Sequence, residues 1–454
     1  MKSNSTVLSI DIGTSTVKCG VIDSQGTLRS GYRAAADESS TADPASAWET
    51  QLLEALSHIA SEMGGVEAVS VCGNGPTMIP VDADGSPCGA TVAWNHPEAQ
   101  PVEGTRSLFL PAASAALKTA SRDVRLLSGC PEYLTGRITG EWFTFLPSDD
   151  FTPYIWEREE AEAYGIPFEL FPPMKKIGEP AGQVSKEFSF RSGIPQGIPV
   201  FAGGPDYLLA LLGTAVTVPG RICDRAGTSE ALNLCIEKTE SSTAAEHALR
   251  VLPHCIKGLC SAASLLPVSG MHFLSFLRSA QKAGESAKQI SRDMLQIYWL
   301  DDAYEQAIMQ ALRSFASPRL SEEQVFSFLA GGDWTAAGRV FSEAAAYSIR
   351  RGFEKFARAG LNTDVLRVSG GQSFNDQWNQ LKADVLSIPL EVPMIADAEL
   401  LGCAAVSLTA LGQFPSFQEA SEKLYAPDRI IEPDARRSDM FSERFFRLFP
   451  ADSR

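Results

Sequence analysis

Short apolar runs and turn-forming residues alternate along the first hundred residues in an order that predicts three strands, a helix and a fourth strand. Apolar and β-branched residues dominate 6–11 and 17–22, residues 27–33 also read as a strand, and Gly- or Ser-containing turns separate these runs. Asp43 followed by Pro44 is typical of a helix start, and an amphipathic pattern then continues to Met63. The mostly apolar run 66–71 favours a buried parallel strand. This order is typical of a ribonuclease-H-like core.

The second half of the chain starts a similar pattern after Pro219 and Gly220. A β-like run at 221–224 and an apolar run at 365–368 each lead into a glycine-containing turn, and helices are predicted at 334–359, 375–386 and 397–411. A strand, a Gly-Thr-Ser turn and a strand therefore occur in both halves, which indicates two related lobes. We predict an α/β fold of two ribonuclease-H-like lobes, residues 1–218 and 219–454, with an active-site cleft between them.

Composition and charge exclude several classes of function for this chain. The chain has 454 residues, of which 44% are hydrophobic and 21% charged, so it can form two hydrophobic cores. Its net charge of −16 argues against a nucleic-acid partner, because such a partner needs an excess of Lys and Arg on one face. Nine cysteines without paired spacing indicate reduced thiols, and no export signal or membrane-length apolar run is visible. We therefore expect a cytoplasmic protein that does not enter the membrane.

The first Gly-Thr-Ser turn, formed by Gly13, Thr14 and Ser15, offers backbone N–H groups and hydroxyls to a phosphate. Asp11 ends the preceding predicted strand and could hold Mg²⁺ through water molecules. Lys18, on the following strand, could reach a phosphate as a point charge. The same turn recurs at 227–229, and the simplest interpretation is that both turns bind one polyphosphate. This interpretation predicts an enzyme that uses ATP. An ordinary hairpin with a turn Asp and a surface Lys is the alternative.

Asp206 follows the apolar run 198–202 and a Gly-Gly-Pro turn. A carboxylate fixed just beyond a strand end can take the proton from an alcohol that attacks a γ-phosphoryl group. The same carboxylate can instead cap the helix predicted from Tyr207, and the two roles are compatible.

Gly370 and Gly371 also follow a predicted strand directly. Glycine lets the backbone approach a flat ligand, and the helix N-terminus that follows suits a phosphate or a ribose. A tight packing turn is the alternative.

The order of these motifs resembles the FGGY carbohydrate kinases of the actin/hexokinase/heat-shock ATPase superfamily, in particular their xylulokinase-like branch. The resemblance extends over most of the chain. It includes D-x-G-T-S-x-x-K near the start, Gly-Gly-Pro-Asp after a strand, the second Gly-Thr-Ser turn, and S-G-G-Q-S before two late helices. The stretches L-T-G-R-I-T-G-E at 134–141 and L-G-C-A-A at 401–405 look like further family patterns.

This resemblance implies an enzyme that uses ATP and Mg²⁺ to phosphorylate a hydroxyl of a small sugar or polyol, for example the ketose xylulose. It implies Asp206 as the general base and Asp11 as the acid associated with the metal. The nucleotide-binding residues that it implies are Gly13, Thr14, Ser15, Lys18, Gly227, Thr228, Ser229, Gly370, Gly371 and Asn375.

The sugar-binding side departs from the family pattern. The run Trp-Asn-Asp-x-Arg of many relatives has His-Pro-Glu after its first two residues here, and residues 73–77 replace the Gln-Met-His signature of xylulokinases. We expect Asn74, Trp94 and Asn95 to contact the sugar. A family member that has lost catalysis and acts as a nucleotide- or sugar-binding regulator is the alternative function, and whether the chain forms a homodimer stays open.

Overall fold

The computed structural model describes residues 5–14, 16–35, 43–100, 102–121, 123–227, 230–268, 270–297, 299–317, 319–329 and 332–450. The chain forms two compact units. Unit 1 comprises Met1–Thr217, Pro253–Leu259 and Asp397–Ala426, and unit 2 comprises Val218–Leu252, Cys260–Ala396 and Pro427–Arg454. The chain first passes from unit 1 to unit 2 between Thr217 and Val218, next to the boundary expected at 218/219. Residues 397–426, which were expected in the second lobe, belong to unit 1.

The strands were expected from short runs bounded by turns, and the first four lie close to the positions that the sequence predicts, whereas the fifth was not predicted. The strands are β1 Thr6–Ile12, β2 Thr16–Asp23, β3 Leu28–Ala35, β4 Val66–Gly73, β5 Met78–Val81, β6 Leu126–Gly129, β7 Thr144–Leu146, β8 Met174–Lys176, β9 Pro180–Gln183, β10 Pro199–Pro205, β11 Ile222–Ala226, β12 Glu230–Glu237, β13 Arg250–Pro253, β14 Leu259–Leu265, β15 Leu366–Ser369, β16 Leu390–Pro393 and β17 Pro427–Ile431.

The helices are α1 Pro44–His58, α2 Leu110–Lys118, α3 Cys130–Thr139, α4 Thr152–Ile155, α5 Arg158–Ala163, α6 Lys186–Ser192, α7 Asp206–Gly213, α8 Ser241–Glu246, α9 Gly270–Lys282, α10 Ala287–Asp293, α11 Glu305–Ser314, α12 Glu322–Ser327, α13 Trp334–Arg358, α14 Asp376–Leu386, α15 Ala398–Ala410, α16 Phe417–Leu424 and α17 Ala435–Leu448. The helix expected to reach Met63 ends at His58, because Ile59 leaves the helical conformation with φ −112°, and a 3-10 helix then covers Ala60–Gly65. Among the described residues, no helix is both long enough and apolar enough to cross a membrane.

Unit 1 is built on a mixed sheet whose described strands follow the order β3-β2-β1-β4-β10-β9. Strand β1 is antiparallel to β2 and parallel to β4, and β4 is parallel to β10. Nearly every residue of β1 and β4 is buried, which explains their almost continuous apolar sequences. Three parallel strands therefore end at one edge of this sheet.

The sheet of unit 2 follows the order β13-β14-β12-β11-β15-β16-β17. Here β11 is antiparallel to β12 and parallel to β15, β15 is parallel to β16, and β17 closes the series antiparallel. The central strands thus repeat the directions of β2, β1, β4 and β10. The duplication predicted from the two strand–turn–strand patterns is confirmed.

Residues 397–426 belong to unit 1 because α15 packs against α7 and β1. Helix α15 is apolar and almost wholly buried. The two helices approach so closely that a Cβ on Gly402 would lie 1.9 Å from the carbonyl oxygen of Leu209, and a Cβ on Gly213 would lie 1.8 Å from that of Ala398. Glycine is required at both positions, because any side chain there would overlap backbone atoms.

We expect Gly402→Ala to lower the free energy of unfolding of the protein by about 1–3 kcal/mol, because the added methyl group must push α15 and α7 apart. Gly64→Ala is the matched control in unit 1, since a Cβ there would meet no atom within 4 Å. Chemical denaturation of both variants measures the difference. An unchanged unfolding midpoint for Gly402→Ala would contradict the close helix packing.

Candidate functional site

The carboxyl ends of β1, β4 and β10 bring three predicted site residues to one edge of the unit 1 sheet. Asp11 is the next-to-last residue of β1, Asn74 directly follows β4, and Asp206 directly follows β10. These strands are parallel neighbours, and the carboxyl edge of such a sheet is where α/β proteins commonly bind ligands. Burial is the main cause that raises the pKa of Asp11, and the negative charge of Asp206 adds to the rise, as expected for two carboxylates at the same edge.

Asp206 is the first residue of α7, with Pro205 in the capping position before it. Its Oδ1 accepts a hydrogen bond of 2.6 Å from the backbone N–H of Tyr207, and the residue is half-buried. The capping role expected from the sequence was therefore wrong, because the helix begins at Asp206 itself, one residue earlier than predicted, and Pro205 takes the cap position. Gly203 brings the strand to this point, since a Cβ there would lie 1.9 Å from the carbonyl oxygen of Val71 on β4.

Asp11 lies in a buried group of charged side chains. Its Oδ2 is 2.9 Å from Lys18 Nζ, and its Oδ1 accepts a hydrogen bond of 3.4 Å from the thiol of Cys72. Lys18 Nζ also lies 3.2 Å from Asp397 Oδ1 and 3.7 Å from Glu399 Oε2. Burial raises the pKa of Asp11 to about 6, and the positive charge of Lys18 limits that rise.

Sequence reasoning missed two members of this group, Asp397 and Glu399. Both stand directly before the L-G-C-A-A pattern at the start of α15, and their D-A-E spacing was the available signal. The predicted contact of Lys18 with a phosphate stays a prediction. In the structure its ammonium group contacts carboxylates, which places it where it can hold Asp11 in its ionised form.

The first Gly-Thr-Ser turn joins β1 to β2 tightly. The backbone N–H of Gly13 donates to the carbonyl of Thr16 at 2.8 Å, and Thr14 is exposed. Trp94 Nε1 donates to Thr14 Oγ1 at 3.1 Å, so a predicted sugar-contacting residue touches the predicted phosphate turn. Ser15 lies outside the described residues.

The other predicted sugar contacts differ in their surroundings. Asn74 is buried, its Nδ2 donates to the carbonyl of Ile12 at 3.0 Å, and its Oδ1 accepts from Thr77 Oγ1 at 2.7 Å. Its amide thus ties the ends of β1 and β4 together. Asn95 is exposed in the turn after Trp94. The chemistry of these positions gives a polar, partly aromatic surface beside the first turn.

The oxygen donors at this edge suit magnesium. Among the described residues, no group of three or more His, Cys, Asp or Glu side chains could enclose a metal ion. Mg²⁺ at phosphate sites usually keeps several waters and takes only one or two carboxylates, with phosphate oxygens completing its shell. Asp11 supplies one such carboxylate, so this residue fits the ion.

Two glycine turns, at Gly227 and at Gly370, lie at the corresponding edge of the unit 2 sheet. Strand β11 ends at Ala226, before Gly227, and its parallel neighbour β15 ends at Ser369, before Gly370. Gly370 has φ +86°, and a Cβ there would lie 2.3 Å from the carbonyl oxygen of Ala226, so this turn requires glycine. Thr228 and Ser229 lie outside the described residues.

A cavity of about 240 Å³ opens in unit 2 beside the Gly370 turn, and we call it the unit 2 pocket. Of the predicted nucleotide-binding residues, Gly371 and Asn375 line it, and Asn375 Oδ1 also caps α14 by accepting from the backbone N–H of Trp378 at 3.0 Å. This volume lies just below the range that is usual for small-molecule sites. Sequence reasoning missed the other lining residues, which are Glu230, Val268, Phe273, Ser291, Met294, Leu295, Phe341, Ser342, Ala345, Gln372 and Trp378.

Comparison with known proteins finds similarity to carbohydrate kinases. Residues 278–411 match the model of the C-terminal domain of the FGGY family of carbohydrate kinases. The chain is 22% identical to the autoinducer-2 kinase of Salmonella typhimurium over 96% of its own length and 92% of that protein. It is 24% identical to the autoinducer-2 kinase of Escherichia coli K12 over 65% of its own length and 57% of that protein.

Solved structures share the fold. The ligand-bound xylulose kinase from Lactobacillus acidophilus superimposes with a TM-score of 0.76 at 15% identity, covering 98% of this chain and 97% of that one. Glycerol kinase with ADP from Plasmodium falciparum gives a TM-score of 0.72 at 14% identity, covering 99% of both chains. At these identities the likeness shows the fold.

Proposed function

We propose that this chain, which is similar to FGGY carbohydrate kinases over residues 278–411 and to an autoinducer-2 kinase over 96% of its length, transfers the γ-phosphoryl group of ATP to a hydroxyl of a small sugar or polyol, with a ketose as the acceptor class. The observation that carries the proposal is the pair of carboxylates, Asp11 and Asp206, at the carboxyl edge of three parallel strands. The proposal assigns the sugar to unit 1 and the nucleoside to the unit 2 pocket.

In this proposal Asp206 is the general base. Its carboxylate takes the proton of the attacking sugar hydroxyl as the oxygen bonds to phosphorus, and ADP leaves. Asp11, through water molecules, helps to hold Mg²⁺, which when bound neutralises charge on the phosphate oxygens. Lys18 keeps Asp11 ionised, since its ammonium group lies 2.9 Å from that carboxylate.

The acceptor can be identified with a panel of ligands. The relatives are named for autoinducer-2, and the matching structures for xylulose, gluconate and glycerol. The panel contains ketoses, polyols and these named acceptors. We expect the enzyme to release ADP from ATP only when one of these compounds is present. The same compound should raise the melting temperature, since a ligand at a hundredfold excess over its Kd stabilises the folded form by about 2.7 kcal/mol. Negligible ADP release with every compound would instead favour a non-catalytic binding protein.

Activity should fall on the acid side of neutrality. Burial raises the pKa of Asp11 to about 6, so lowering the pH through this value protonates the carboxyl that the metal needs. We expect kcat/KM for ATP·Mg²⁺ to fall about tenfold for each further pH unit below about 6, because kcat/KM reports groups of the free enzyme. Measured pH profiles test this for the wild type and for Lys18→Met.

Lys18→Met should move the acid limb to higher pH, because it removes the positive charge that lowers the pKa of Asp11. A wild-type profile that stays flat down to about pH 5, or an acid limb that does not move in Lys18→Met, would contradict the assignment of Asp11.

A further inference from the structure

Another cavity in unit 2 is lined by charged and amide side chains, and we call it the arginine pocket. Its volume is about 430 Å³, which lies within the range that is usual for small-molecule sites. Helices α13, α14 and α17 and the segment 295–297 form its walls. Its polar lining residues are Arg339, Arg437, Asp384, Gln296, Gln377 and Gln380. None of these six residues lines the unit 2 pocket that the proposed function assigns to the nucleoside.

Arg339 is a buried cation in the wall of this pocket. The residue is only 2% exposed, and its Nε donates to the carbonyl of Ile297 at 2.8 Å. Its Nη1 lies 3.2 Å from Oε2 of Glu343, and Arg444 Nη1 lies 2.9 Å from Oε1 of the same carboxylate. One buried carboxylate therefore divides its negative charge between two guanidinium groups.

Arg437 is the second cation of the pocket, and the protein holds it in place. The residue is half-buried, and its Nη1 lies 3.3 Å from Asp384 Oδ2. The other oxygen of Asp384 accepts from Gln380 Nε2 at 2.9 Å and from the backbone N–H of Asp434 at 2.8 Å. Because these donors fix the carboxylate, it orients the guanidinium group of Arg437 at the cavity wall.

The two arginines line one cavity and repel each other. Burial is the main cause that lowers the pKa of Arg339, and the positive charges of Arg444 and Arg437 add to the shift. Like charges held close together cost free energy, and an anion in the cavity would lower that cost. Guanidinium groups bind carboxylates and phosphates through two parallel hydrogen bonds. The charged lining therefore suits an oxyanion.

The remaining lining indicates what the oxyanion is attached to. Gln296 and Gln377 are exposed, and each amide offers both a donor and an acceptor, which matches the two roles of a hydroxyl group. Leu295, Leu381 and Phe441 add an apolar part to the wall, which a short carbon chain can contact. The pocket thus combines groups for an anion, for hydroxyls and for carbon.

We propose that the arginine pocket binds a small organic oxyanion that carries hydroxyl groups, a phosphate monoester or a carboxylate of a sugar-like compound. Arg339 and Arg437 would bind the oxyanion, and Gln296 and Gln377 the hydroxyls. The inference goes beyond the proposed function and does not depend on it, because it rests on the geometry and charge of this cavity alone.

The test is the Kd of glycerol 3-phosphate, glycerate and inorganic phosphate, measured by titration calorimetry at low salt with excess ADP. The wild type should bind at least one of the two hydroxylated anions. It should bind inorganic phosphate about three- to tenfold more weakly than the tighter of them, because inorganic phosphate lacks the carbon chain with its hydroxyls. The tighter probe distinguishes a phosphate ligand from a carboxylate ligand.

Variants of Arg437 connect this binding to the pocket. Arg437→Gln removes the charge and should weaken binding of the tighter probe by about ten- to a hundredfold. Arg437→Lys should lose less, because it keeps the charge but not the planar fork. Arg436→Gln is the matched control, since Arg436 is the exposed neighbour on α17 and does not line the cavity, and it should bind as the wild type does.

Arg339→Met should weaken binding of the tighter probe as strongly as Arg437→Gln does. If this variant fails to fold, the variants of Arg437 still decide, since that residue is only half-buried.

Three results would contradict the inference. Binding of neither hydroxylated anion by the wild type would overturn it. So would an equal Kd for the wild type and a folded Arg437→Gln variant, since the probe would then bind at another site. An equal Kd for inorganic phosphate and the tighter hydroxylated anion would overturn the role given to Gln296 and Gln377. Sugar-dependent ADP release decides the proposed function separately.

Discussion

Replacing Asp206 with Asn is expected to lower kcat for sugar phosphorylation by about 10²–10⁴-fold, because the amide cannot take the proton of the attacking hydroxyl. The fold should be preserved, since Asn keeps an oxygen that can accept the hydrogen bond from Tyr207 N–H at the start of α7. The Kd for ADP should change by less than about twofold, as the proposed nucleoside pocket contains no part of β10 or α7. Steady-state kinetics and calorimetry on the same preparation measure both effects.

The matched control is Glu159→Gln, which neutralises an exposed acid in the first turn of α5 in the same unit. It should leave kcat unchanged. A kcat of Asp206→Asn within about tenfold of the wild type would remove the general-base role, because a base contributes at least about a hundredfold.

Lys382→Met is expected to lower the free energy of unfolding by about 3–5 kcal/mol, because it leaves a buried carboxylate without its partner. The pair with Asp224 is fully buried, and Glu230 adds a second carboxyl to the same interior space. Chemical denaturation measures the loss. Nucleotide binding should weaken as well, since Trp378, one turn before Lys382 on α14, lines the unit 2 pocket.

Two further variants separate the buried pair from a general effect of losing a lysine. Lys288→Met removes an exposed lysine from α10 in the same unit and should have little effect. The double variant Asp224→Asn with Lys382→Met should recover part of the lost stability, because it no longer leaves an unpaired buried charge. A loss in Lys382→Met no larger than that in Lys288→Met would show that the pair does not stabilise the fold.

Local sequence patterns were sufficient for the framework of both sheets. The strands around residues 13 and 227 could be predicted because an apolar run, a glycine turn and a second run are neighbours in sequence. The helix of residues 334–359 ends at a glycine, as its pattern indicated, and in the structure α13 spans Trp334–Arg358. Gly370 could be singled out, because a turn with positive φ and a close backbone neighbour requires glycine.

The unit 2 pocket could be predicted only in part. Gly371 and Asn375 follow a strand and a turn, which are local signals. Met294 and Phe341 lie on separate elements with apolar faces, and a sequence does not distinguish a residue that lines a cavity from one that fills the core.

Long-range charge pairs were also beyond reach. Asp224 and Lys382 are 158 positions apart, and Lys18 contacts Asp397 and Glu399 only because α15 returns to unit 1. Charged residues in a strand or a helix usually face solvent, so nothing local marks these as buried. Such pairs depend on the packing of distant elements, which single-sequence patterns do not encode.

The most direct test of whether this chain phosphorylates a sugar, with Asp206 as the base, uses mass spectrometry. The acceptor panel is incubated with ATP, Mg²⁺ and either the wild type or the Asp206→Asn variant, and phosphorylated products are then measured. The wild type should add one phosphoryl group to one acceptor. Asp206→Asn should form less of this phosphorylated acceptor by a factor of about a hundred or more. No phosphorylated acceptor with the wild type, or equal product from both proteins, would contradict the proposed function and the role of Asp206.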